Sequence, residues 1–170
     1  MISDDELQQL TTQVAQRLLA RAWLLTTAES CTGGWLGKCC TDVIGSSAWF
    51  ERGFITYSNQ SKQDLLHVNA PTLTQFGAVS EQTASEMAQG ALTESKADIS
   101  VAITGIAGPD GGSVDKPVGT VCFAWATKNA GVETQIYRYE GDRDSIRRQA
   151  VKQALQGIIK NARDCLSSMG

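Results

Sequence analysis

One histidine in 170 residues is the most consequential shortage in this chain. Hydrolases with a hydroxyl nucleophile commonly take its proton with an imidazole, yet His67 stands in Leu65-Leu66-His67-Val68, a helix-end or surface setting. A base for hydrolysis is therefore expected to be something other than histidine, and a His-rich metal site is excluded. The five cysteines include the adjacent pair Cys39 and Cys40 but no C-x-x-C. Odd in number and unsuitably spaced, they are neither a disulfide framework nor a zinc site, and are expected to be reduced and partly buried. No apolar run approaches the roughly 20 residues that cross a bilayer, and the acidic start Met1-Ile2-Ser3-Asp4-Asp5 is unlike a secretory signal. The expected location is the cytoplasm. Basic charge is short too: 15 Lys and Arg face 18 Asp and Glu, for a net charge of -3 and a pI near 5.1, which argues against a nucleic-acid partner. Repeats, low-complexity segments and linker composition are absent, so residues 1–170 are expected to form one domain.

What is present is organised around Thr26-Thr27-Ala28-Glu29-Ser30-Cys31-Thr32-Gly33-Gly34. A buried strand is expected over Trp23–Ala28, and Trp35-Leu36-Gly37-Lys38-Cys39-Cys40 has helical spacing. A strand thus becomes a helix across a Ser/Thr/Gly turn, and the first helical N–H groups point above it, backed by the positive end of the helix dipole. An anion or oxyanion suits such a place. Ser30 and Thr32 read either as plain helix caps, worth roughly 1 kcal/mol, or as functional hydroxyls. Gly33 and Gly34 cost roughly 1 kcal/mol each in a helix, which suggests a ligand or a second backbone approaching closely. The pattern is neither a P-loop nor a dinucleotide fingerprint.

Taken in order, Ser3-Asp4-Asp5-Glu6 predicts a capping box, and Leu7, Leu10, Val14 and Leu18 a first helix, with Arg17 and Arg21 in its last turn. The helix after the turn is expected to end near Gly45. Ala48–Tyr57 reads as a strand bulged at Gly53, and the following Ser58–Ser61 caps a helix over about 62–68. Pro71 opens a short helical piece ending at Gly77. Ser80 caps a helix to about Ser95 whose stripe of Ala84, Met87, Ala88, Ala91 and Leu92 reads as core. Ile99–Thr104 has the continuous apolar character of a fully buried strand, followed by a loop from Gly105 to Ser113. Gly119–Ala126 and Val132–Tyr139 read as an antiparallel pair. A closing helix after Gly141 carries Ile146, Ala150, Ala154, Leu155 and Ile158 inward. This alternation, with a late hairpin, predicts an α/β fold with a mixed sheet between helical layers.

Ligands of such sheets bind outside the carboxyl ends of the parallel strands. Three loops are expected there: Ser30–Gly34, Tyr57–Lys62 and Thr104–Gly112. Lys62 can act as base if desolvation or a nearby cation lowers its pKa; otherwise it is a solvated first-turn lysine. Tyr57 orients it or relays a proton, or only covers a sheet edge. On the catalytic reading Ser30 attacks and the N–H groups from Cys31 to Gly34 hold an oxyanion. The loop Gly105–Gly112, with four glycines and a proline in eight positions, suits a phosphate or sugar cradle or is an ordinary connection. Arg143, Arg147 and Arg148 lie at a helix start, a poor dipole position for cations, so either a ligand phosphate or Asp142 and Asp144 compensates them. Ser46 and Ser47 are further hydroxyls that could face the same pocket.

Together AESCTGG (28–34), ITYSNQSK (55–62), GAVS (77–80), TGIAGPDGG (104–112), KPVGTV (116–121) and GDRDSIRRQA (141–150) resemble the C-terminal domain of the CinA competence/damage-inducible family, in order and over nearly the whole chain. The resemblance is to the stand-alone form, without the N-terminal nucleotide-pyrophosphatase domain of larger members. It implies a three-layer α/β/α sandwich with a mixed, mostly parallel sheet, commonly a homodimer. It further implies a metal-free and cofactor-free amidase that converts nicotinamide mononucleotide and water to nicotinate mononucleotide and ammonia, a step of pyridine nucleotide recycling. The family's active-site serine and lysine match Ser30 and Lys62, with Tyr57 in the same block. Cys31 belongs to the matching motif and is a competing nucleophile. Substrate-binding positions expected on this basis are Thr32, Gly33, Gly34, Ser46, Thr104, Gly105, Gly108, Arg143 and Arg147. A non-catalytic nucleotide-binding or interaction module is the alternative.

Overall fold

In the computed structural model, which describes residues 1–163, helix α1 spans Asp4–Arg21 and Ser3 Oγ accepts the Glu6 N–H at 3.1 Å. The side-chain cap is present and its reciprocal half is not. Ala22, in the left-handed region, closes the helix; the Trp23 N–H still donates to Leu18 O, and the Leu24 N–H to the Asp98 carboxylate. Strand β1 therefore starts at Leu25, later than the apolar run alone suggests, and spans Leu25–Glu29.

The chain continues through α2 (Trp35–Asp42), a single 3-10 turn (Ser46–Ala48), β2 (Phe50–Ile55), α3 (Asn59–Leu66), α4 (Ala70–Phe76) and α5 (Glu81–Thr93). Strands β3 (Ile99–Gly105), β4 (Thr120–Thr127) and β5 (Gly131–Arg138) follow, then α6 (Arg143–Asn161). The sheet order is β2-β1-β3-β4-β5. β1 pairs in parallel with β2 and β3, while β3–β4 and β4–β5 are antiparallel. The sheet is mixed as expected: its pairings divide evenly, and β4 alone runs against the other four strands. The β2 bulge falls at Glu51, because the register passes from Leu25↔Phe50 to Thr26↔Arg52. Gly53 instead pairs regularly with Thr27, whose hydroxyl leaves little room for a Cβ.

Strand alternation gives the sheet two unlike faces. Ile99, Val101, Ile103, Val121, Phe123 and Trp125 pack against α1, α2 and α6, whereas Ala28, Ala102, Cys122, Ala124 and Ala126 face α3 and α5. The second face is made of small side chains, so α5 lies close on it. Helix α3 in turn lies close on α5, since a Cβ at Gly90 would collide with Leu66 O. The result is three layers, with α3 seated tightly enough to fix what its first turns carry.

Candidate active site

Ser58 caps α3 in a capping box with Ser61, so the helix begins at Asn59 and the Lys62 N–H already donates to Ser58 O. Helical side chains lean toward the N-terminus. From this position Lys62 reaches back over the ends of β1 and β2 and is 1% exposed. Its Nζ lies 3.0 Å from Ser30 Oγ, 2.7 Å from Thr56 O and 3.3 Å from Tyr57 O. These partners suit a neutral amine: it donates to two carbonyls and turns its lone pair to the Ser30 proton. Burial without a compensating carboxylate pushes the Lys62 pKa down from 10.5 to about 8. The solvated first-turn lysine is thus corrected to a buried one.

The turn after β1 departs from its sequence reading. Glu29 ends the strand facing away from Lys62, and its carboxylate accepts from Thr32 Oγ1 (2.7 Å), Leu36 N–H (2.9 Å) and Gly37 N–H (3.0 Å). The first helical amides are consequently taken by the protein's own acid. The Gly33 N–H donates to Ser30 O and the Trp35 N–H to Thr32 O. Among the described residues, the N–H groups of Cys31, Thr32 and Gly34 have no hydrogen-bond partner. Glu29 and Lys62 are the two buried side chains of charged type there, and they flank Ser30. Sequence reasoning missed Glu29, although an acid inside an otherwise apolar strand is a signal that it has buried partners.

Thr32 spends its hydroxyl on Glu29. Gly33 and Gly34 have φ of +59° and +101°, a backbone conformation that accounts for both glycines without a ligand. The thiol of Cys31 is buried and pushed up to about 12, away from the thiolate that a nucleophile needs. Cys39, Cys40 and Cys122 are free and buried as well, and Cys165 lies outside the described residues.

The three expected loops meet at one edge: the Ser30 N–H donates to Ile103 O and the Thr56 N–H to Glu29 O. Tyr57 touches Lys62 through its carbonyl, while its exposed ring carries the hydroxyl to within 3.4 Å of an Arg143 nitrogen, so it is no proton relay between Ser30 and Lys62. Arg143 also donates to Gly108 O at 2.8 Å. Arg147 donates to the carbonyls of Cys31 (3.0 Å) and Thr32 (3.1 Å), and Arg148 pairs with Asp4 and Asp144.

The chain matches the CinA C-terminal domain family over residues 7–162. It belongs to that family. A protein of Escherichia coli strain K12 named nicotinamide-nucleotide amidohydrolase PncC is 57% identical over 157 residues, covering 92% of this chain and 95% of that protein. One of the same name from Enterobacter agglomerans is 50% identical, covering 94% and 100%. The crystal structure of the competence/damage inducible protein CihA from Agrobacterium tumefaciens superposes with a TM-score of 0.92 at 43% identity, covering 96% of this chain and 99% of that one.

Other expected positions in this CinA-family chain lie elsewhere or are otherwise occupied. Ser46 and Ser47 precede β2 and so sit at the opposite end of the sheet from Ser30, roughly 15–20 Å away at 3.3 Å per strand residue. Thr104 donates its buried hydroxyl to Ala78 O. Gly105 is required by the approach of Val121 and Thr120, and Gly108 by Val118, so the glycine loop is folded against its own chain. A cavity of about 710 Å³ lies behind the turn between α1, α2 and α6, lined by Thr32, Gly33, Gly34, Trp35, Arg147 and Arg148, with neither Ser30 nor Lys62 in its wall. No helix among the described residues is long and apolar enough to cross a membrane.

Proposed function

We propose that this chain is a nicotinamide-nucleotide amidase, hydrolysing the carboxamide of nicotinamide mononucleotide by a serine–lysine mechanism. The observation that carries the mechanism is the buried Lys62 Nζ, 3.0 Å from Ser30 Oγ and lowered toward neutrality. The relatives' shared name supports the substrate.

Neutral Lys62 takes the Ser30 proton as Oγ bonds to the carboxamide carbon, and the carbonyl electron pair moves onto oxygen. Free N–H groups of the turn hold that oxyanion. Collapse breaks the C–N bond, the Lys62 ammonium returns its proton to the departing nitrogen, and ammonia leaves. Water then attacks the acyl-enzyme with Lys62 taking its proton; Ser30 departs and is reprotonated, releasing the carboxylate.

Arg143 is the arginine assigned to the substrate phosphate. It is exposed, bonded to Gly108 O and beside the Tyr57 hydroxyl, whereas Arg147 and Arg148 are partly buried and committed to two carbonyls and two carboxylates respectively. The same reading has the enzyme working as a cytoplasmic homodimer of single-domain chains without metal or cofactor. The test is ammonia release from nicotinamide mononucleotide, with chelator present, by wild type, Ser30→Ala and Lys62→Ala. Release by wild type alone is expected. Binding without release by wild type would favour a nucleotide-binding module instead.

A further inference from the structure

We infer that Glu29 is the positioning residue of the oxyanion turn, holding it from the face opposite Lys62 so that the Cys31 and Thr32 N–H groups are the donors offered to the reacting carbonyl. The inference rests on the amidase reading.

The sequence pattern alone places the oxyanion at the α2 N-terminus. That place is filled: both Glu29 oxygens accept there, one from Thr32 Oγ1 and the Leu36 N–H, the other from the Gly37 N–H. The donors left are those of the turn itself. In a trans peptide the C=O of one residue and the N–H of the next point in opposite directions. Ser30 O accepts the Gly33 N–H, which fixes the plane carrying the Cys31 N–H. Cys31 O accepts from Arg147 Nε, which fixes the plane carrying the Thr32 N–H. Glu29 closes the arrangement by tying the Thr32 side chain and the first turn of α2 to the end of β1. The Ser30 and Cys31 carbonyls that anchor the turn are thereby bonded on the far side of the Cys31 and Thr32 amides.

A glutamine at position 29 has one acceptor oxygen and a donor NH2. It can keep the Thr32 and Leu36 bonds only by setting its NH2 against the Gly37 N–H. Glu29→Gln is therefore expected to loosen the turn while leaving Lys62, on the other face, as it was.

The experiment measures ammonia release from nicotinamide mononucleotide by wild type, Glu29→Gln, Thr32→Val and Thr32→Ser. It adds thermal melts, pH–rate profiles and the rate of Ser30 labelling by an alkyl fluorophosphonate. Glu29→Gln is expected to lower kcat by about 10- to 100-fold, with KM within about threefold, the pH midpoint unmoved and labelling slowed in proportion. Thr32→Val should lose kcat in the same sense, and Thr32→Ser, which keeps the hydroxyl, should regain most of that loss. A folded Glu29→Gln with wild-type kcat, a loss confined to KM, or a displaced pH midpoint would overturn the inference. If Glu29→Gln does not fold, the Val and Ser pair at Thr32 decides it. If wild type releases no ammonia, the amidase reading fails by itself, and the labelling rates still test the turn.

Discussion

The rate of amide hydrolysis should rise about tenfold between pH 7 and pH 9, because a base of pKa about 8 is about 9% neutral at the first pH and about 91% at the second. The same lysine in water, at 10.5, would be neutral in only about three molecules in ten thousand at pH 7, so burial raises the available base roughly 300-fold. The assay is kcat/KM for ammonia release from pH 5.5 to 10, with a limb near pH 6 assigned to the second ionisation of the substrate phosphate. Lys62→Arg keeps the positive charge but cannot lose it, and should cost about 10²- to 10⁴-fold. A stability signature of fixed sign accompanies the rate. Unfolded Lys62 holds its proton up to about 10.5 and folded Lys62 releases it near 8, so between these values the unfolded state binds more protons and stability rises with pH. Any gain in Tm that Lys62→Met gives at pH 7 should therefore shrink by pH 10. A flat rate profile between pH 7 and 9, or Lys62→Arg within tenfold of wild type on an unchanged profile, would refute the assignment of Lys62 as base.

Cys31→Ala should retain turnover within a few-fold, since the thiol is buried and held near 12; abolished labelling and turnover would restore the thiol reading. Arg143→Ala should raise KM for nicotinamide mononucleotide about tenfold or more while changing KM for nicotinamide riboside, which lacks the phosphate, by less than about twofold. Gly90→Ala should lower stability by about 1–3 kcal/mol in denaturant titration and reduce kcat as well, because the new methyl group meets Leu66 O and displaces the helix that carries Lys62.

The order of elements was legible because the apolar period switches between 2 and 3.6 and because Ser3, Ser58 and Ser80 announce helix starts. The partnership of Ser30 with Lys62 spans 32 positions and has no local signature. Residue pattern left it open beside a capping serine and a solvated lysine, and the family motifs named both residues; their contact follows from β1 and β2 lying side by side and α3 beginning at Asn59. Ser46 misled for a related reason: polar loops at the two ends of a strand look alike in composition, and only sheet direction distinguishes the carboxyl end from the other. The glycines misled differently. A positive φ, a neighbouring strand and a bound ligand all remove a Cβ, and sequence does not say which.

Adjacent residues of a strand face opposite sides of its sheet, and at this site that period of two has an electrostatic consequence. Glu29 and Ser30 are neighbours in sequence, yet the acid turns to α2 and the hydroxyl to α3, where Lys62 waits. Were the carboxylate on the lysine's side, it would favour the ammonium form and raise the pKa, removing the base at neutral pH. Burial of Lys62 is effective because the nearest buried acid is kept behind the strand and saturated with three donors of its own. The end of β1 thus meets, on one side, the α3 amine with no carboxylate partner and carries, on the other, a satisfied anion. A one-residue slip of this strand would turn the carboxylate toward Lys62 and the Ser30 hydroxyl away from it, and leave neither chemistry in place.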